Sequence, residues 1–271
     1  MASLSDRAGR GALLVASWLA LAFLAFPLVV VVAISFSTTE YLKFPPVGFT
    51  LRWYDAFFSD RSFVESLWTS AKLAAASTLV ALMLGIPAGL VLARKTFPGK
   101  QAVTGLFLSP LVLPTIVIGV AILQYATQIG VARTFWALLL GHVVLVLPYV
   151  MRTTLASLSG FDISQEEAAQ DLGATSFKTF FLVTLPQIKP GIIAGGLFAF
   201  IISWIDVEVA VFNSTPELIT IPVKMFNYVQ FNIDPILAAT SAITIYVAIA
   251  TVLVLDSVIG IEKATTRTTR N

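Results

Sequence analysis

The stretch from about Gly11 to Ile34 contains no charged side chain. It exceeds the roughly 7–15 apolar residues of a secretory leader and matches the ~20 that a helix needs to cross a bilayer. Ala33-Ile34-Ser35 imitates a leader-cleavage site, yet the length of the run favours a retained first span over about residues 11–36. Hydrocarbon offers no water to backbone N–H and C=O groups, so such a run must close its hydrogen bonds internally, as a helix. Five further apolar runs follow, over about 67–93, 102–124, 135–151, 190–212 and 236–259. Only 12% of the 271 residues are charged, against roughly 25% in soluble domains, so the chain belongs in a bilayer. The expected fold is an all-α membrane protein, one domain over residues 1–271 with six transmembrane helices.

The connections and the small residues refine this outline. Residues of about 37–65 carry mixed charges, Pro45-Pro46 and the aromatics Phe49, Trp53, Tyr54, Phe57 and Phe58. This is the composition of an outer loop with an amphipathic segment at the membrane surface, where Trp and Tyr prefer to sit. In the second span Gly85, Pro87 and Gly89 loosen the later half, which requires neighbouring helices to satisfy the backbone. Pro110 and Pro114 lie one turn apart in the third span, which should kink or unwind there. A packing kink and a gate in a pathway wall are equally open. The fifth span begins with Gly191, Ala194, Gly195 and Gly196, small residues that suit close helix contact.

Basic residues orient the spans. With the N-terminus inside, the inner segments hold eleven: Arg7, Arg10, Arg94, Lys95, Lys100, Arg152, Lys178, Lys189, Lys263, Arg267 and Arg270. The outer segments hold five: Lys43, Arg52, Arg61, Arg133 and Lys224. Lys- and Arg-rich loops stay in the cytoplasm, so both termini and the polar segment between the fourth and fifth spans are expected there. The net charge is only +2 and its basic residues are scattered, which gives no support to nucleic-acid binding. With no cysteine, disulfides and cysteine-based metal sites are excluded. The single His142 lies in an apolar run and reads as a packed or hydrogen-bonded helix histidine rather than a lone metal ligand.

The polar segment from Arg152 to Lys189 contains a patterned loop over about residues 160–186. Ser164 is placed to cap a helix, with Glu167 three residues on as in a capping box, and Ala168 to Leu172 add about one turn. Gly173 then ends the helix by permitting a sharp turn that a side chain would obstruct. Ser176 caps a second short helix whose Phe177, Phe180, Phe181 and Leu185 fall near one face before Pro186 stops it. The hairpin is acidic in its first turn and aromatic in its second half. Glu167 offers a carboxylate for capture by backbone or Arg.

Glu167-Ala168-Ala169, Gly173 after three more residues, and Val183 with Leu185-Pro186 resemble the EAA loop of bacterial ABC-importer permeases. Val183 stands where that family usually has Ile. Ser109-Pro110-Leu111-Val112-Leu113-Pro114, Leu147-Pro148-Tyr149-Val150 with Arg152, and Leu185-Pro186-Gln187-Ile188-Lys189-Pro190-Gly191 are similar to its spermidine/putrescine-type branch. So are Phe44-Pro45-Pro46 and Leu51-Arg52-Trp53-Tyr54, and the likeness is in particular to the second permease type with six spans.

The resemblance implies the type I ABC-importer permease fold, a place in the bacterial inner membrane, and half of a translocation path for polyamines or a related small amine-bearing solute. It implies that Glu167, Ala168, Ala169, Gly173, Ala174, Leu185 and Pro186 couple the chain to an ABC ATPase dimer. The loop would lie in a groove on one ATPase subunit and move as a lever when nucleotide closes the dimer. A second, paralogous permease chain, an extracytoplasmic solute-binding protein and membrane lipid complete the implied partners. No Gly-x-x-x-x-Gly-Lys-Ser/Thr phosphate loop occurs in the chain, so nucleotide hydrolysis is not expected here. ATP and Mg belong to the ATPase subunits, the chain itself needs no cofactor or metal, and it is not expected to be an enzyme.

Asp206 and Glu208 are the acids placed well inside a span, with Asp256 near a cytoplasmic end. An Asp at the centre of a membrane helix costs roughly 2.5–3.5 kcal/mol on insertion scales, so these groups should face protein or water. On a continuous helix they point about 200° apart. Asp206 then shares a stripe with Ser203, Ala210 and Asn213, while Glu208 shares a face with Trp204 and Phe212. The first stripe suits a cation or a partner helix; the second sets an acid beside aromatics, as cation recognition does. Ser203, Trp204, Asp206, Glu208 and Asn213 are therefore the candidate substrate path, and pairing of the acids with polar groups on a neighbouring helix is equally compatible. The polyamine branch usually carries Ser-x-Asp followed at once by a second acid; here Val207 takes that place and Glu208 is displaced by one. The alternative reading is an ion-coupled secondary transporter using Asp206 and Glu208, which leaves the hairpin unexplained. A membrane enzyme lacks the clustered catalytic or metal-binding groups it needs.

Overall fold

The computed structural model describes residues 4–259, with side-chain surroundings over 11–254. The tail residues Lys263, Arg267 and Arg270 lie outside the described residues, as do the side chains of Arg7, Arg10 and Asp256. The helices are α1 (Leu4–Ile34), α2 (Arg52–Ser59), α3 (Arg61–Arg94), α4 (Lys100–Leu108), α5 (Thr115–Gln128) and α6 (Phe135–Ser159). They continue with α7 (Ser164–Asp171), α8 (Ser176–Thr179), α9 (Leu185–Ile205), α10 (Ala210–Asn213), α11 (Ile221–Val229) and α12 (Ile236–Ile259). A 3-10 turn, Ser109–Leu111, follows α4, and a π-helical segment, Phe180–Thr184, joins α8 to α9. Among the described residues five helical runs are long and apolar enough to cross a bilayer, and α4 with α5 reaches that length and apolarity only as a pair, bent by 104°. Pro110 lies in the 3-10 turn and Pro114 precedes α5 with ψ 128°. Proline lacks an N–H and disfavours helical geometry in the residue before it, so the paired prolines break this run.

The residues up to Arg61, with Tyr228–Val247, form one compact unit. Along α1 the apolar side chains are exposed, Leu13, Trp18 and Phe23 each by about two-thirds or more, a surface suited to hydrocarbon. The loop after α1 is closed by Thr38 N–H donating to Val47 O (3.0 Å) and Thr50 N–H donating to Phe36 O (2.8 Å). The Trp53 indole donates to Ser37 O (2.9 Å), Tyr54 OH lies 2.7 Å from Ser35 Oγ, and Phe36 stacks on Phe49 at 5.0 Å. The polar ends of these aromatics thus find partners while their rings pack, which pins α2 to the loop.

The second unit, Ser62–Asn227 with the stretch from Ala248, is built around α6. Thr134 caps this helix, its hydroxyl accepting from Ala137 N–H, and Val146, Val150 and Met151 are fully buried. Its core joins Ala81 of α3, Ile118 and Ile122 of α5, Ala199 of α9 and Val209. Glycines let both neighbours of α6 come close. A Cβ on Gly191 would lie 2.7 Å from Thr153 O, and one on Gly195 would lie 3.0 Å from Val150 Cα. On the other side, Cβ atoms on Gly85 and Gly89 would lie 2.9 Å from Val150 Cγ1 and Thr154 Cγ2. Such approach suits helix association in lipid, where packing rather than water drives contact. Gly85 and Gly89 therefore tighten α3 rather than loosen it, and α3 runs unbroken through Pro87 to Arg94.

Pro186 does not stop a helix. It falls in the first turn of α9, where a missing N–H is tolerated. The π segment immediately before it changes the step of the hydrogen-bond ladder, so the chain winds on from Ser176 to Ile205.

Candidate functional site: an acidic hairpin and a broken helix

Asp162, not Ser164, starts the hairpin. Its carboxylate accepts the Ser164 backbone N–H at 3.0 Å, and hydrogen bonds from the Ser164 side chain and backbone hold its carboxyl below the usual carboxylate range. Ser164 is already the first residue of α7, Ile163 makes no side-chain cap bond, and the expected Ser164–Glu167 capping box is absent.

The far end of α7 is closed by a Schellman motif. Gly173 N–H donates to Gln170 O (2.8 Å) and Ala174 N–H donates to Ala169 O (3.0 Å), the paired bonds that satisfy terminal carbonyls when the intervening residue is left-handed. Gly173 has φ +89°, and a Cβ there would meet nothing within 4 Å. The requirement for glycine is therefore conformational, not the steric obstruction expected from the sequence. Thr175, one residue before the expected Ser176, caps α8 by accepting from Lys178 N–H at 3.4 Å. Phe181 then packs on Phe177 and Phe180, with ring centroids 4.6 and 4.9 Å apart. Leu172 and Phe177 are 90% and 73% exposed, leaving two large apolar side chains uncovered beside the turn.

The two neighbouring acids of α7 diverge. Glu167 is exposed. Glu166 is buried, and one of its carboxylate oxygens receives both the Arg94 guanidinium from the end of α3 and the Thr184 hydroxyl from the π segment. Gln187 Nε2 donates to Gln165 Oε1, adding a tie between α7 and α9. Within this chain the Arg contact is made by Glu166, while the Glu167 carboxylate, expected to be open to capture by backbone or Arg, is exposed. Ala168 O accepts from Leu172 N–H at 3.2 Å, while Leu185 and Pro186 open α9.

The fifth apolar run is not continuous to residue 212. α9 ends at Ile205, Asp206 is extended (φ −68°, ψ 132°), and the chain resumes as α10 at Ala210. Asp206 Oδ2 accepts the N–H groups of Val209 (3.1 Å) and Ala210 (3.0 Å), so this carboxylate satisfies the start of the new turn. It also lies 3.7 Å from His142 Nε2. His142 Nδ1 is 2.8 Å from Ser203 Oγ, to which Ser77 Oγ donates at 2.9 Å. His142 and Ser77 are fully buried, and these side chains form a polar string from α3 through α6 to the break.

The break scatters the candidate path residues that a continuous helix would align. Ser203 belongs to the polar string, and Trp204 is 2% exposed with its ring stacked on Phe200. Asn213 is fully buried and accepts from Arg133 N–H at 3.4 Å, in a turn where Arg133 has φ 56°. Glu208 lines an open groove of about 490 Å³, with Pro114, Thr115, Ile116, Val207, Val211 and Phe226. Gly119 of α5 lets the break approach, since a Cβ there would lie 2.7 Å from Glu208 O. Pro114, at the bend, and Glu208, at the break, thus share one groove, while Pro110 does not line it. Among the described residues no three of His, Asp and Glu gather as metal ligands.

Comparison with known proteins extends these observations. The profile of the family described as binding-protein-dependent transport system inner membrane component matches residues 85–261. The spermidine/putrescine transport system permease protein PotC of Haemophilus influenzae is 33% identical over 233 residues, 86% of this chain and 90% of its own. The putrescine transport system permease protein PotI of Escherichia coli K12 is 34% identical over 220 residues, 79% of this chain and 78% of its own. The fold is similar to that of a chain in the crystal structure of a bacterial alginate ABC transporter in complex with an alginate pentasaccharide-bound periplasmic protein. That likeness has TM-score 0.72 at 16% identity and covers 94% of this chain and 96% of the other. The chain has the permease fold of ABC importers and belongs to the inner membrane components of binding-protein-dependent transport systems.

Proposed function

We propose that this permease forms half of the translocation path of an ATP-driven importer for polyamines or a related small amine-bearing solute. The observation that carries the cargo reading is Glu208. It is an acid at a break in a membrane run, exposed to a groove that also holds Phe226 and the proline of the α5 bend. A carboxylate beside an aromatic ring in a low-dielectric groove attracts an ammonium group both by charge and by the ring quadrupole. The similarity to permeases named for spermidine and putrescine agrees with this chemistry.

Coupling is assigned to the hairpin of residues 160–186. The bias of basic residues toward one side supports a cytoplasmic hairpin and cytoplasmic termini, facing an ABC ATPase dimer that binds ATP and Mg. Glu167 and the uncovered Leu172 and Phe177 are its contact groups. A second permease chain and an extracytoplasmic solute-binding protein complete the importer. The ion-coupled alternative is weakened because the Asp206 carboxylate is committed to two backbone N–H groups.

The test is uptake by the reconstituted importer. Glu208→Gln should lower spermidine uptake at least tenfold while the ATPase still co-purifies; uptake at the wild-type rate would contradict the cargo role. Gly173→Asp should leave the chain inserted but lose the ATPase, and unchanged uptake and co-purification would contradict the coupling role. Uptake that survives ATP depletion and collapses with an ion gradient would overturn the ATP-driven reading.

A further inference from the structure

The hairpin touches two membrane helices by different means. α7 is joined to α9 along the chain itself, through the Schellman turn, α8 and the π segment. Its connection to α3 is made by side chains: the Glu166 carboxylate meets the Arg94 guanidinium at the last residue of that helix. The Glu166 side chain is 9% exposed and that of Arg94 30%. Arg94 also lies over the Phe161 ring at 6.0 Å. The same carboxylate oxygen takes the Thr184 hydroxyl. Thr184 is the last residue of the π segment, where one extra residue per turn re-aims the side chains that follow.

We propose that Glu166 is the positioning residue through which displacement of the hairpin is passed to α3 as well as to α9. The inference rests on the reading of the hairpin as the ATPase contact and adds a path of transmission. A neutral or displaced group at 166 leaves the hairpin attached to α9 by the chain and by the Gln165–Gln187 bond, but leaves the end of α3 only the weaker Arg94–Phe161 contact. α3 carries Ala81 into the shared core with α5 and α6 and brings Ser77 to the buried polar string. Motion of its end therefore reaches the break at Asp206 through packed, hydrogen-bonded groups. The charge-assisted bond supplies stiffness that a surface ion pair would not, because the carboxylate is shielded from water and salt.

The chain contains no cysteine, so Ile163→Cys on the hairpin and Val91→Cys on α3, both exposed, accept spin labels before assembly without competition from its other residues. The experiment uses the whole importer, with ATPase pair, second permease and binding protein. It measures the distance distribution between the labels without nucleotide and with trapped ATP, together with spermidine imported per ATP hydrolysed. In the otherwise native chain the distribution should be the same in both states, hairpin and helix end moving together. In Glu166→Gln and in Arg94→Gln it should shift or broaden on ATP trapping, with import per ATP reduced about tenfold in complexes that retain the ATPase. The exchanged pair, Arg94→Glu with Glu166→Arg, should recover most of both readouts.

Unchanged distributions in the single variants, or an exchanged pair no better than either single, would overturn the proposal. Loss of the ATPase from both single variants would also overturn it, since the pair would then serve assembly alone. Failure of the native chain to retain the ATPase would count against the coupling role itself, which separates the two claims.

Discussion

The hairpin and the helix break each contain a close pair of acids, and in each pair one is turned inward to hold backbone or helix while the other faces out. Glu166 is buried and Glu167 exposed; the Asp206 side chain is 7% exposed and Glu208 lies in an open groove. The inward acids differ in what satisfies them. Glu166 meets a cation and a hydroxyl at the end of a helix that reaches solvent. Asp206 meets two backbone N–H groups beside the buried His142. The first is a joint between elements and the second a local cap. Both free their neighbours for contact with something outside the chain.

Substitutions can break this comparison, and the largest effect is expected at Asp206. Asp206→Ala strips two buried N–H groups of their acceptor, which costs about 2–4 kcal/mol, and the thermal unfolding midpoint in detergent should fall sharply. Asp206→Asn, keeping one acceptor oxygen, should lose about half as much. Glu166→Ala should cost about 2 kcal/mol, less than a fully buried ion pair because Arg94 can turn to water. Gly173→Ala should cost about 1 kcal/mol through the left-handed backbone alone, with no clash, since the space around it is open. At the small end, Glu167→Gln and Glu208→Gln should change stability by less than about 0.5 kcal/mol, as exposed substitutions do, while altering ATPase coupling and uptake respectively. An outward acid whose loss unfolds the chain, or an inward one whose loss leaves the midpoint unchanged, would end the distinction.

Much of the hairpin was legible because its signals are local. A glycine after an acidic helical turn announces the end of the helix, and α7 does end there, at a Gly173 whose φ of +89° supplies the turn. The small residues of the fifth run announced close packing, which Gly191 and Gly195 provide, and two prolines one turn apart announced the bend before α5. What escaped depends on tertiary partners. Glu166 and Glu167 are adjacent and chemically alike, and only the positions of Arg94, seventy-two residues earlier, and Thr184, eighteen later, decide which turns inward. The break at Asp206 has no glycine or proline to mark it. Its available signals were an acid able to accept from the turn that follows and the β-branched Val207, Val209 and Val211, which are weak helix formers. Periodicity drawn across that break aligned residues that the structure separates. Pro186 was misread for the opposite reason: its helix-stopping tendency is real, but it falls in the first turn of α9, directly after the π segment, where a missing N–H is tolerated.

The coupling role requires the hairpin to meet an ATPase, and a cross-link reports that contact directly. A photoreactive group in place of Leu172, which is 90% exposed beside the Gly173 turn, should join this chain to the ATPase subunit in the intact importer and do so in ATP-dependent yield. Cross-linking to lipid or to the second permease, with none to the ATPase, would contradict it.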